Sequence, residues 1–290
     1  MKGLKGVVSL LMVYFKINMK VSVFIMDIFN QFWVPRGIYK SCGMFTDEHM
    51  ILLLISVCVL TFLLIISIKI TVEKIDILTK VFAVTLTFLE GIKIFFNFYW
   101  GYTKVNYWFP ISFCSIFIYA LWMSGFTRGY LKKIGDSFIT AVTVVAGGAY
   151  LLVPSTSLTA YPMGHYLCIY SMLFHTLMIY MGVLYLRKKQ INLNWRTFKK
   201  FGVIYLFFTL ISIFINNISG SNLMMLSSPA NIPLRFLHTL YGINEWAYTG
   251  FVFIVYLFVP YWGTSYTLKI IKKSNNKKNR EEFNGDNLEL

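Results

Sequence analysis

The chain has 290 residues, of which 57% are apolar and only 13% charged, against roughly 25% charged in soluble domains. So few charges cannot cover the surface of a water-soluble domain of this size, and a mean hydropathy of +0.62 agrees. Lys and Arg (27) outnumber Asp and Glu (12), for a net charge of +15. The cations lie in short gaps between apolar runs, which marks them as orientation signals and argues against nucleic acid as a partner.

About 20 apolar residues are needed to cross the hydrocarbon core. The N-terminal part, residues 1–44, holds a short apolar stretch at Val7–Phe15, broken by Lys16 and Lys20. Val21–Val34 reads as an amphipathic helix lying in the interface, with an additional span as the alternative. The first clear span is Met50–Ile70, in which only Lys69 is charged, preceded by Thr46 and Asp47 as N-cap candidates. Then follow Ile77–Phe98, Trp108–Gly125, Ser137–Val153 with Gly147 and Gly148 for close helix contact, Tyr166–Leu186, Phe201–Asn216 and Ala247–Leu268 with Pro260 as a kink. Residues 45–271 are therefore expected to form an all-α polytopic bundle of about seven transmembrane helices. The polar residues 272–290 read as a disordered tail.

Loop charge sets the orientation. Lys69, Lys74 and Lys80 separate spans one and two, Arg128, Lys132 and Lys133 separate three and four, and six cations separate five and six. The alternate loops carry one cation or none. This alternation places the C-terminus in the cytoplasm of a cell-membrane protein. Nothing in the sequence fixes an oligomeric state.

Several polar groups interrupt the apolar runs. Glu90 and Lys93 stand three apart in the second span, on one helix face, and Asn97 extends that stripe. A charge in hydrocarbon turns inward, either as a register-fixing ion pair or as the wall of a site. His175 sits near the middle of the fifth span, as an interhelical hydrogen bonder or as a base. Cys114 follows Pro110 near the start of the third span; beside an imidazole its thiol could lose a proton and attack a carbonyl. Cys58 and Cys168 read as small buried hydrophobes, while Cys42 lies in a polar loop as a free thiol. His49, His165 and His238 lack metal-ligand spacing, so no metal is expected, and no motif asks for a cofactor.

The order of short motifs resembles the bacterial YwaF-like integral membrane family, itself related to an animal transmembrane acyltransferase acting on ether phospholipids. The resemblance rests on Phe45-Thr46-Asp47-Glu48-His49, on Phe109-Pro110-Ile111-Ser112-Phe113-Cys114-Ser115, on Tyr161-Pro162 with Phe174-His175, and on Gly220-Ser221-Asn222-Leu223-Met224-Met225-Leu226 before Pro229. Ser112 stands where relatives often carry His or Gln, and Leu223 replaces a usual Tyr. The resemblance implies acyl transfer or hydrolysis on a membrane lipid, with Cys114 as nucleophile and His175 as general base. Glu90 or Asn222 would orient the imidazole, and Lys93, Asn97 and Ser112 would line the site. The competing expectation is a transporter, channel or membrane binding protein whose polar route runs through Glu90, Lys93 and His175.

Overall fold

The computed structural model describes residues 26–286, with side chains described through Ile270; the apolar stretch Val7–Phe15 lies outside the described residues. Eight helices of nine or more residues follow: α1 (Asp47–Ile66), α2 (Val72–Tyr99), α3 (Ile116–Phe126), α4 (Gly129–Leu152), α5 (Tyr166–Leu184), α6 (Trp195–Ser219), α7 (Arg235–Ile243) and α8 (Glu245–Asp286). A π turn, Tyr185–Lys189, continues α5. Six of these, all but α3 and α7, are long and apolar enough to cross a membrane. The protein is a polytopic helical membrane protein.

Local sequence explains the helix limits. The Thr46 side chain accepts from the His49 amide and starts α1, and Thr71 caps α2 in the same way. The Asn194 side chain accepts from the amides of Arg196 and Thr197 at the head of α6, and Gly220 ends that helix in the left-handed conformation. Four spans are longer than their apolar runs because charged flanks such as Glu73–Lys80 and Arg196–Lys200 are helical too. Once the apolar stretch has nucleated a helix, each further turn is cheap. For the same reason α8 continues to Asp286, through most of the segment that composition assigns to a disordered tail.

The third span differs from expectation. Apolarity predicts a crossing over Trp108–Gly125, but the regular helix is only Ile116–Phe126. Its 11 residues cover about 16 Å, half of the roughly 30 Å of hydrocarbon. Pro110 opens an irregular segment, and Ser112 holds it by accepting from the Ser115 amide at 3.1 Å. The missing depth is taken up by this segment, which buries Ile111, Phe113 and Ser115 in the bundle; irregular backbone at membrane depth is tolerated where protein covers it.

Helix α4 is the centre, packed against α3, α5, α6 and α8; α1 leans on α5, and α2 on α3 and α5. Glycine makes two of these contacts close. A Cβ on Gly135 would stand 2.5 Å from the Ala120 carbonyl of α3, and one on Gly147 would stand 2.8 Å from the His175 carbonyl of α5. Gly148 meets nothing within 4 Å. Farther out, Thr264 of α8 donates to the Ala141 carbonyl at 2.7 Å, and Tyr205 of α6 to the Phe253 carbonyl at 2.9 Å.

The two ends differ in chemistry. At one, Lys132 in the first turn of α4 and Lys189 at the end of the π turn meet Asp76; this is the basic end of the bundle. At the other, residues 26–45 pack on the connection before α5, with the Cys42 amide on the Tyr161 carbonyl at 2.8 Å and the Tyr166 amide on the Phe32 carbonyl at 3.0 Å. The described part of the expected interfacial helix is helical over 26–31. Cys42 is a free thiol, as read, and is buried; Cys58 departs from expectation, exposed on the outward surface of α1. Because α1 is apolar all round, composition does not reveal which face turns outward. Cys168 is buried as expected.

Candidate functional site

Cys114 lies in the last turn before α3 and is partly exposed. The residue before it, Phe113, stacks on Tyr256 of α8 at 4.5 Å and meets Tyr205 of α6 edge-on at 6.1 Å. Ser112 and Ser115 share a hydrogen bond of 2.7 Å, and Tyr119 donates to the Pro110 carbonyl at 3.2 Å. Ser112 is thus a local brace for the start of the half-helix.

His175 is buried in α5, with 5% of its surface exposed. Its Nδ1 lies 2.7 Å from the Ser171 carbonyl. A carbonyl only accepts, so Nδ1 must carry the proton and Nε2 the lone pair. That Nε2 is buried without a hydrogen-bond partner. Tyr150 of α4 lies flat on the ring, 3.6 Å between centroids and 6° between planes. The close approach at Gly147, one turn earlier, brings α4 near enough for this stack.

No hydrogen bond joins Cys114 to His175. Their helices do touch one residue or one turn away, where Phe117 meets Phe174 edge-on at 5.9 Å. The two candidates therefore flank one aromatic contact between α3 and α5.

Glu90 is buried in α2, ion-paired with Lys93 and accepting from the Tyr170 hydroxyl at 2.7 Å. Asn97, also buried, donates to the Lys93 carbonyl at 2.8 Å. One turn outward along α5, Tyr166 donates to the Leu89 carbonyl at 2.7 Å. The Glu90 group thus binds α2 to the Tyr166–Tyr170 face of α5, while His175 faces α4. Asn222 spends its side chain within its own loop. Its oxygen accepts from the amides of Ser227 (2.8 Å) and Ser228 (3.1 Å), and its nitrogen donates to the Ser228 carbonyl at 2.9 Å. That loop is drawn into the bundle: Leu223, Met224 and Leu226 are buried, and Asn216 of α6 holds Leu223 by both amide groups.

The other histidines each meet a backbone carbonyl: His49 that of Leu151, His165 that of Val34, and His238 that of Ile232. They do not converge. His165 is fully buried, stacked on Tyr161 at 4.1 Å. Burial, opposed by its bond to Val34 and aided by the Arg36 charge, pushes its pKa down to about 4. Burial likewise pushes the Cys42 thiol up to about 11.

Two clusters escaped the sequence reading. At the end opposite the basic one, Arg36 lies among the rings of Tyr102, Tyr107 and Tyr161, 4.1 Å from that of Tyr107, with Nε donating to Tyr161 at 2.8 Å. Burial opposes its charge, but Tyr161 and Tyr107 outweigh that and hold its pKa above the usual value. At the basic end, Asp76 and Asp136 face Lys132 and Lys189. The signal for the second cluster was present in two lone acids among the basic flanks.

The family model that matches the chain is that of the TMEM164 family, over residues 44–264. No curated protein and no solved structure matches.

Proposed function

Since the chain belongs to the TMEM164 family of transmembrane proteins, we propose that it is a membrane-embedded acyltransferase or lipid hydrolase, the chemistry implied by its YwaF-like motifs. Cys114 is the nucleophile and His175 the general base. The observation that carries this reading is His175 itself. Its proton is committed to Ser171, and a buried Nε2 lone pair has no partner. A satisfied interhelical histidine would use both nitrogens. Here one is left to accept a proton.

The chemistry balances simply. Nε2 takes the Cys114 proton as sulfur attacks the ester carbonyl of a membrane lipid. The departing alcohol takes that proton, leaving a thioester on Cys114. A second alcohol, or water, then gives its proton to Nε2 and attacks the thioester; the carbon–sulfur bond breaks, the acyl group leaves as the new ester or free acid, and Nε2 returns the proton to the Cys114 thiolate. Cys114 and His175 must approach for the first step. Such contacts often form only with substrate bound, and Phe117 and Phe174, one turn and one residue from the pair, meet edge-on. A lipid would reach Cys114 sideways from the bilayer.

The test is labelling with an acyl-fluoride lipid probe. Cys58, an exposed free thiol, is an internal control. Cys114 should react faster than Cys58 despite its lower exposure, and His175→Ala should slow Cys114 alone, by about 10²–10⁴-fold, the usual value of general-base help. Equal rates at Cys114 with and without His175 would remove the base from the mechanism. A second reading, a transporter, channel or membrane binding protein, draws on the buried Glu90–Lys93–Tyr170 group; substrate movement across vesicles that survives Cys114→Ala would favour it.

A further inference from the structure

The acid–base ring at the basic end takes no part in the chemistry above. Lys189 reaches Asp76 at 2.8 Å and Asp136 at 3.6 Å; Lys132 reaches the same two at 3.3 Å and 3.8 Å. Ser124 of α3 donates to Asp136 and meets the Tyr185 hydroxyl at 2.7 Å, and that hydroxyl also meets Thr79 of α2 at 2.9 Å. The Lys189 ammonium lies over the Tyr185 ring at 3.9 Å. Four helices, α2 to α5, are thereby tied together.

Both α5 contributions come from the π turn, Tyr185 as its first residue and Lys189 as its last. A π turn is an α-helix carrying one extra residue, and it ends here against Gln190 in the left-handed region, at φ 50° and ψ 40°. That conformation is costly for a residue with a side chain. Slipping the extra residue out would restore α geometry. Lys189 would then move about 100° round the helix axis, the rotation of one residue, away from both carboxylates. The ring contacts oppose the slip, whereas π geometry favours it.

We propose that Tyr185–Lys189 is a two-register latch: in the π register the ring closes the basic end, and in the α register the end opens to water between α3, α4 and α5. The inference does not depend on the Cys114–His175 reading. A second copy, a lipid headgroup or a soluble partner is not needed to explain the ring, because its four charges balance.

The test is cysteine accessibility in membranes, with the full-length protein and a membrane-impermeant maleimide on the basic side, read by mass spectrometry. The reporter is Thr140→Cys, buried one turn deeper than Asp136; the control is Ala146→Cys, buried farther along α4. Removing Leu186, or making Lys189→Gln where the deletion does not fold, should raise labelling at position 140 by about tenfold, within the usual range of coupling between sites, and leave position 146 unchanged. Asp76→Lys should do the same, and adding Lys189→Asp should restore protection. Unchanged labelling at position 140 would make the ring a fixed clamp. Equal rises at 140 and 146 would mean general loosening. Either result overturns the latch.

Discussion

Removing the Glu90 carboxylate should be among the most damaging single changes in the bundle. The carboxylate serves two partners, the Lys93 ammonium and the Tyr170 hydroxyl. Breaking one member of a buried ion pair costs about 3–5 kcal/mol, chiefly because the other charge is left buried. The Lys93 side chain is 24% exposed, so solvent recovers part of that loss, and about 1–3 kcal/mol is the fitting range for this component. The hydrogen bond from Tyr170 to a charged acceptor contributes about 1.5–3 kcal/mol more. Glu90→Ala should therefore destabilise by about 2.5–6 kcal/mol. Glu90→Ala with Lys93→Met should be less harmful than Glu90→Ala alone, since no orphan charge remains. Tyr170→Phe should cost about half as much as Glu90→Ala. The assay is unfolding in mixed micelles by titrated detergent, with Glu282→Ala in the polar tail as reference. If Glu90→Ala unfolds at the same point as Glu282→Ala, or if the double variant is worse than the single one, Glu90 is not held as a buried ion pair.

Two further outcomes follow from other parts of the bundle. His165 is neutral in the fold because its pKa is held at about 4, against 6.5 when unfolded; its folded value is depressed, so its full contribution is present above pH 6.5 and is lost as pH falls toward about 4. The loss should reach about 3 kcal/mol, and detergent unfolding of His165→Asn, compared with the unaltered chain from pH 7 to 4, should show a flatter profile; parallel profiles would mean that His165 takes up a proton without loosening the fold. Gly135→Ala would press a methyl onto the backbone of Ala120 and Ser124 and should cost about 1–3 kcal/mol by overpacking, whereas Gly148→Ala, in open space, should be near neutral or better in a thermal melt. Equal melts for the two would place α3 farther from α4.

Hydropathy was sufficient to read six of the seven expected spans, because a crossing helix must be apolar over a fixed length. The spacing of Glu90 and Lys93 was enough to read their ion pair, because residues three apart share a helix face. What hydropathy could not show is where an apolar run stops being helix. Phe109–Ser115 sits inside one apolar run with its neighbours, and Pro110 and the Ser112 brace mark the break. Nor did counting cations reveal the ring at the basic end. Asp76 and Asp136 carry little weight in an orientation rule, yet they decide where Lys132 and Lys189 go. At the candidate site, a central histidine was legible from position alone. The tautomer and the stack on Tyr150 were not, since both depend on how closely Gly147 lets α4 approach α5.

The half-length of α3 also bears on how the chain enters the bilayer. A segment of 11 helical residues preceded by irregular backbone cannot reside alone in lipid, where every unpaired amide and carbonyl is costly. Only two residues, Thr127 and Arg128, separate α3 from α4, and α4 supplies the close glycine seam against which α3 rests. The third crossing must therefore wait at the insertion machinery until α4 has been made. The two then leave together as a hairpin, with the basic residues Arg128, Lys132 and Lys133 at or beside its turn. Translation through roughly the first 150 residues is thus a committed stage in the assembly of this membrane protein.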